Sequence, residues 1–222
     1  DAARMMSEKL HAYGWEYINI DDGWEAPERT KGGEILSNDK FPDFKALTDY
    51  IHGLGLKFGI YSSPGATTCG GHVGSYQHEE IDARTWERWG VDYLKYDYCG
   101  YLDIEKDSKE ETIQEPYIVM RNALDKVKRD IVFCVGYGAP NVWNWAAEAG
   151  GNQWRTTRDI TDEWNVVTAI GTFQDVCTDA TAPGRNNDPD MLVVGKLGQG
   201  WGSKVHDSYL TADEQYSHIS LW

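Results

Sequence analysis

The chain has 222 residues, 41% of them hydrophobic and 26% charged, which fits a globular protein long enough to bury a sizeable core. Its 36 acidic and 21 basic residues leave a formal net charge of -15, which argues against nucleic acid or an anionic membrane as partner and suits a neutral one. No apolar run approaches the roughly 20 residues of a membrane-spanning helix.

In chain order, Ala3, Met6, Leu10 and Tyr13 share a helical face over 2–13, and Gly14 follows as a stop. Residues 15–22, WEYINIDD, alternate and are rich in strand formers. Helical spacing returns over 41–54 through Phe44, Leu47, Ile51 and Leu54, and 56–63 form the next strand. A glycine-rich loop, PGATTCGGHVGSYQ, leads to a helix over 78–89 on Ile81, Trp86 and Trp89. A strand over 91–99 follows. Next come a helix over 115–129 on Tyr117, Met120, Leu124 and Val127, a strand over 130–138, and a short helix over 140–148. Residues 152–160 read as a strand, and 162–174 as a helix on Trp164, Val167, Ile170 and Phe173. The segment 184–195 reads as a strand end with a turn at Asp188-Pro189. Thr211 and Glu214 then form a capping-box pattern.

Strands alternating with helices over short loops predict a parallel sheet with right-handed crossovers. Six strands leave both a doubly wound sheet and a (β/α)8 barrel open. No GxGxxG or GxxxxGK[ST] follows any strand, which weakens a nucleotide-binding reading. Cys69, Cys99, Cys134 and Cys177 form no CxxC pair, which argues against structural zinc and leaves disulfides or buried thiols open. The chain opens on DAARMMSEKL and stops on HISLW, inside a helical pattern. It is therefore expected to be a piece of a longer protein.

The chemistry collects at the strand ends. The first strand ends on Asp21-Asp22, followed by Gly23-Trp24. The second ends on Tyr61 and Ser62, the third on Lys95, Asp97 and Cys99. The fifth runs through Trp154 and Arg155 to Asp159, and the sixth ends on Asp188 and Asp190. In a parallel α/β protein these ends share the face where active sites lie. A carboxylate cluster suits metal binding or glycoside hydrolysis, in which two carboxyls flank an acetal. His72 and His78 lie in or just after the glycine-rich loop rather than at strand ends, so an acidic site rich in aromatics fits sugar better than metal.

The stretches YINIDDGW, FGIYSSPG, TCGG, DARTWERWGVDYLKYDYC, WRTTRDITDEW and NNDPDML resemble glycoside hydrolase family 27, the α-galactosidases and α-N-acetylgalactosaminidases of the melibiase clan. The motifs stand in the family's order and spacing from the first helix to the last residue. The resemblance implies a (β/α)8 barrel, here a partial one lacking the first and last strands. Residues 1–222 would form one catalytic barrel domain without the family's C-terminal β-sandwich. It implies a retaining enzyme that releases terminal α-linked galactose by double displacement and needs neither cofactor nor metal. Asp97 matches the nucleophile and Asp159 the acid/base. Asp21 and Asp22 match the pair that holds the galactose 4- and 6-hydroxyls. Lys95 and Arg155 match sugar-binding positions, Arg155 also orienting the acid, and Trp24 and Tyr61 match aromatic walls. Cys99 and Tyr137 are further candidate substrate-binding positions, Tyr137 within FCVGYGAP, which corresponds to the stretch that in the family reads the sugar 2-position and leaves the choice between a 2-hydroxyl and a 2-acetamido sugar open. Cys69 and Cys99 match a disulfide joining two site loops, with Cys134 and Cys177 then free and buried.

Lys95, on the same strand face as Asp97, favours the charged nucleophile, and neighbouring carboxylates would keep a proton on Asp159. The implied partners are α-galactoside oligosaccharides, polysaccharides or glycoconjugates. A disulfide implies an oxidising compartment: secreted, periplasmic or lysosome-like. Alternatives are an α-N-acetylgalactosaminidase, β-L-arabinopyranosidase or isomalto-dextranase activity, a non-catalytic sugar-binding barrel fragment, and a metal-dependent barrel hydrolase.

Overall fold

The computed structural model describes residues 1–107, 109–138, 141–197 and 205–222. The chain divides into two compact units, Asp1–Gly136 with Glu148–Asn152, and Tyr137–Ala147 with Gln153–Trp222. Among the described residues no helix is long and apolar enough to cross a membrane.

The first unit alternates helix and strand as expected. Helix α1 (Ala2–Lys9) passes into a short 3-10 turn and ends at Gly14, whose φ of 93° is a left-handed stop. Strands β1 (Tyr17–Ile20), β2 (Lys57–Ser62), β3 (Tyr93–Tyr96) and β4 (Val132–Val135) run parallel in chain order. The register sets Ile20 beside Ile60, Tyr61 beside Lys95, and Lys95 beside Cys134. Helices α2 (Phe44–Gly53), α3 (Glu79–Trp89) and α4 (Glu110–Leu124) connect them. Asp43 caps α2 by accepting the Ala46 N–H at 2.9 Å. Glu79, Glu80 and Asp82 open α3, where negative charge complements the helix dipole.

The core of this unit comes from Phe44, Phe58, Ile60, Trp86, Leu94, Tyr117 and Phe133, all at most 2% exposed. Each such apolar side chain contributes roughly 1.5–3 kcal/mol on burial. Helix α4 differs from expectation. It begins at Glu110 rather than 115 and carries Pro116 inside. Proline usually marks a first turn, which is why the sequence pattern starts there. Buried Pro116, Tyr117 and Met120 hold the helix despite the lost backbone bond.

The second unit holds β5 (Gln153–Arg155), helix α5 (Trp164–Phe173) and β6 (Asn186–Asp188), with β5 and β6 parallel and Arg155 beside Asp188. A 3-10 segment, Gln174–Ala180, continues α5. A short antiparallel pair, β7 (Lys196–Leu197) and β8 (His206–Asp207), has no counterpart in the sequence reading. Helix α6 (Ala212–Leu221) opens with the expected capping box between Thr211 and Glu214. Ile160, Val167, Ile170, Val193, Leu197 and Leu210 form its core, with Val166 and Trp222 packed against them. The expected helix over 140–148 is a 3-10 turn at Val142–Asn144, and its first position lies outside the described residues.

All six expected strands exist, but each is shorter than predicted. The flanking residues leave the ladder to form the loops that carry the polar side chains.

Candidate active site

In the first unit the ends of β1, β2 and β3 and the segments just after them bring six candidate residues together: Asp21, Asp22, Tyr61, Lys95, Asp97 and Cys99. Asp21 and Asp22 form a tight turn in which Asp21 Oδ1 accepts the Asp22 N–H at 2.9 Å. Asp21 Oδ2 accepts from Lys95 Nζ at 2.7 Å. Asp22 Oδ2 accepts the Gly70 N–H at 2.6 Å, whereas Asp22 Oδ1 is buried without a partner among the described residues. Lys95 Nζ also lies 5.3 Å from the centre of the Tyr61 ring.

Asp97 stands just past β3, its N–H donating to the Ser62 carbonyl at 3.0 Å. Its Oδ1 accepts the Tyr98 N–H at 2.8 Å and its Oδ2 accepts the Tyr61 hydroxyl at 3.1 Å. The Tyr117 hydroxyl donates to the Asp97 carbonyl at 3.1 Å. Burial, together with the charge of Asp97, pushes the Tyr61 phenol far above its ordinary value, so it stays a proton donor.

Cys69 and Cys99 form the expected disulfide, with Cα atoms 5.0 Å apart, and Cys134 and Cys177 are free and buried. The Asp97 carboxylate lies within 4.8 Å of both sulfurs, which the bridge leaves without the thiolate a metal needs. Gly65 and Gly100 permit the crossing of the two bridged loops. A Cβ on Gly65 would come within 2.4 Å of the Gly100 backbone.

Trp24 departs from its expected place in an aromatic wall. It is fully buried, edge-on against Phe44 at 5.1 Å and Trp89 at 5.7 Å, and its indole N–H donates to the Tyr61 carbonyl at 2.9 Å. It supports the turn and strand from beneath and presents no face to a ligand.

In the second unit Arg155 is the organising group. Its guanidinium, 4% exposed, reaches Asp159 Oδ1 at 3.0 Å and Asp190 Oδ2 at 3.2 Å. Burial works against its charge, but Asp190, Asp159 and Asp188 outweigh that and hold its pKa above the ordinary value. The Asp159 side chain is 86% exposed, anchored by Arg155 and otherwise open to solvent. Asp188 Oδ1 accepts the Asp190 N–H at 2.8 Å, the turn expected at Asp188-Pro189. Asp190, at φ 80°, accepts the Ile160 N–H at 2.8 Å. Tyr137 is half-buried in the same unit.

The sequence reading missed a buried ion pair and a buried carboxyl. Arg29 grips the fully buried Asp82 through both nitrogens, at 2.6 and 2.8 Å, and also holds the Gly33 and Gly74 carbonyls. Glu25, directly after the DDGW motif, is 1% exposed. Neither has a local signal, because an acid or arginine in a polar loop or a first helical turn normally faces water.

A family model described as alpha galactosidase A, of the melibiase group, matches residues 1–213. The chain belongs to glycoside hydrolase family 27. The α-galactosidase of Cyamopsis tetragonoloba is 42% identical over 227 residues, covering 100% of this chain and 50% of that protein. The crystal structure of α-galactosidase I from Mortierella vinacea is 35% identical, with a TM-score of 0.82 over 87% of this chain and 54% of its own. The α-galactosidase from Saccharomyces cerevisiae, solved with raffinose, is 27% identical, with a TM-score of 0.83 over 100% of this chain and 51% of its own. The chain spans about half the length of the relatives it matches. Its fold is the partial (β/α)8 barrel expected for a family 27 member.

Proposed function

We propose that this family 27 chain carries the two catalytic carboxylates of a retaining exo-α-galactosidase. The observation that supports it most is the setting of Asp97. Its carboxylate stands at the end of a parallel strand, held by the Tyr61 hydroxyl and the Tyr98 N–H, beside the Lys95–Asp21 ion pair.

In this reading Asp97 attacks the anomeric carbon while Asp159 protonates the departing glycosidic oxygen. The galactosyl–Asp97 ester that forms is then opened by water, whose proton passes to Asp159. Arg155 orients Asp159 through their ion pair. Asp21 and Asp22 accept hydroxyl hydrogens from the terminal galactose. Lys95 supplies a donor, and Tyr61 lines the floor.

A neutral sugar suits a chain of net charge -15. Terminal α-galactosides of oligosaccharides, polysaccharides or glycoconjugates are the proposed substrates, and the relative solved with raffinose accords with that class. The Cys69–Cys99 bridge supports an exported protein working in an oxidising compartment. Residues 1–222 are read as part of a single catalytic barrel domain.

The test is hydrolysis of aryl α-galactoside and aryl α-N-acetylgalactosaminide by the full-length protein, with and without a chelator. Galactoside cleavage with retained configuration, insensitive to chelator, is expected. An inverted product, or preference for the acetamido sugar, would overturn the assignment.

A further inference from the structure

Glu25 is a buried carboxyl that the mechanism above leaves without a task. Its Oε2 accepts the Gly23 N–H at 3.0 Å, and its Oε1 is buried with no partner among the described residues. The side chain thus turns back over Trp24 to grip the amide directly after Asp22. The far side of the segment is also pinned. Asn38 Nδ2 donates to the Gly23 carbonyl at 2.9 Å and the Glu25 carbonyl at 3.3 Å, and the Asn38 N–H donates to the Trp24 carbonyl at 2.8 Å. Gly23 itself has a φ of 96°, so the turn bends through a conformation that only glycine adopts readily.

Two acceptor oxygens around this turn, Asp22 Oδ1 and Glu25 Oε1, are buried and lack donors. A buried carboxylate oxygen without a donor is costly, whereas a carboxylic acid is neutral and carries its own O–H.

We propose that Glu25 is a positioning residue for the Asp21–Asp22 pair: as a neutral acid it holds the Gly23 amide and fixes the turn that aims both carboxylates, and on ionising it loosens that turn. This rests on the reading of Asp21 and Asp22 as holders of sugar hydroxyls. Burial pushes the Glu25 carboxyl from 4.5 up to about 7, with the charge of Asp22 adding to the effect and backbone hydrogen bonds opposing it. Among the described residues the turn itself carries Asp21, paired with Lys95, and Asp22. His72, from the loop after β2, places its ring 3.4 Å from where a Gly23 Cβ would stand. The opposing segment presents Ser37 and Asn38, which are neutral. Beneath, Trp24 contacts the Tyr61 carbonyl.

The consequence is a substrate affinity that falls through neutral pH while the chemical step does not. In the full-length wild type, KM for an aryl α-galactoside rises about tenfold between pH 6 and 8 with kcat nearly constant, the loss expected for one hydrogen bond's worth of positioning. Glu25→Gln keeps a carbonyl for the Gly23 N–H and a donor in place of the acid O–H, and it does not titrate. Its KM stays low and flat over that range. Glu25→Met lacks the acceptor, and its KM is raised at every pH. If the glutamine variant showed the wild-type rise, the proposal would be overturned even if the methionine variant failed to fold. Carboxyl-carbon NMR of glutamate-labelled protein reads the same group without substrate. A resonance titrating near 7 and absent from Glu25→Gln supports the proposal, and one titrating near 4.5 overturns it, whatever the hydrolysis assays say about the reaction.

Discussion

The Tyr61 hydroxyl donates to Asp97 Oδ2 at 3.1 Å, joining residues 36 apart in sequence across neighbouring strands. The phenol is buried, so this bond operates in a low dielectric and fixes the carboxylate's orientation. Tyr61→Phe removes the donor and leaves the ring packing intact. The Tyr98 N–H still holds the other oxygen. Losing this orienting bond should lower kcat/KM roughly tenfold, and because a charge-assisted bond contributes about 1.5–3 kcal/mol to stability, folding stability should fall as well. An unchanged kcat/KM would mean that Tyr61 does not orient the proposed nucleophile.

Asp97→Ala should abolish turnover of α-galactosides, because no group remains to form the glycosyl ester. Azide should restore part of it by occupying the vacated space, giving a β-galactosyl azide of opposite anomeric configuration. Recovery of a product with the substrate's own configuration would count against Asp97 as nucleophile.

Asp159→Ala should act on a different step. Poor leaving groups need protonation and should suffer most, whereas an activated aryl galactoside should still form the glycosyl-enzyme and then release it slowly. Equal slowing of glycosylation for activated and unactivated substrates would remove Asp159 from the acid role and turn attention to Asp188 and Asp190.

The Cys69–Cys99 bridge closes a sequence separation of 30 residues and ties the loop holding Asp22, through the Gly70 N–H, to the strand end that carries Asp97. Loop-closure entropy assigns it roughly 3–4 kcal/mol. Alkylation of the denatured, unreduced protein should label only Cys134 and Cys177, and reduction should expose all four. Four labelled cysteines without reductant would refute both the bridge and the export reading.

Away from the site, Asp92 accepts the Phe58 N–H at 2.9 Å and pairs with His52 at 2.7 Å and Arg129 at 2.5 Å. Burial alone would raise its carboxyl, but these three donors outweigh burial and hold it below the ordinary value of 3.8. A depressed folded pKa contributes stability that is present above the unfolded pKa and lost as pH falls through the folded one. The stability difference between wild type and Asp92→Asn, measured by denaturant unfolding, should therefore hold constant above about pH 5 and shrink below pH 4. A difference independent of pH down to 2.5 would show that the charge of Asp92 is not what stabilises this corner.

Much of the molecule was legible in the sequence because its signals are local. The periodicities of Phe44, Leu47 and Ile51, or of the YINI strand, report which face of an element meets a core, and the Asp-Asp, Lys-x-Asp and Arg-x-x-x-Asp spacings survive any packing. Helix–strand order, the acids at strand ends and the capping box at Thr211 all follow from such short-range patterns. What lies across the fold is of another kind. An aromatic after Asp-Asp-Gly reads the same whether it lines a sugar site or, like Trp24, lies under Phe44 and Trp89. An acid beside it reads the same whether it faces water or, like Glu25, is buried and grips the Gly23 amide. Those outcomes depend on groups that arrive from elsewhere in the chain: Tyr61 for Trp24, Asn38 for the Gly23–Glu25 turn, Asp82 for Arg29. Only when the tertiary structure removes water and sets these partners at hydrogen-bond distance does a side chain become support, binder or proton store, because desolvation and geometry, which no single segment encodes, decide the charge it carries and the group it can hold.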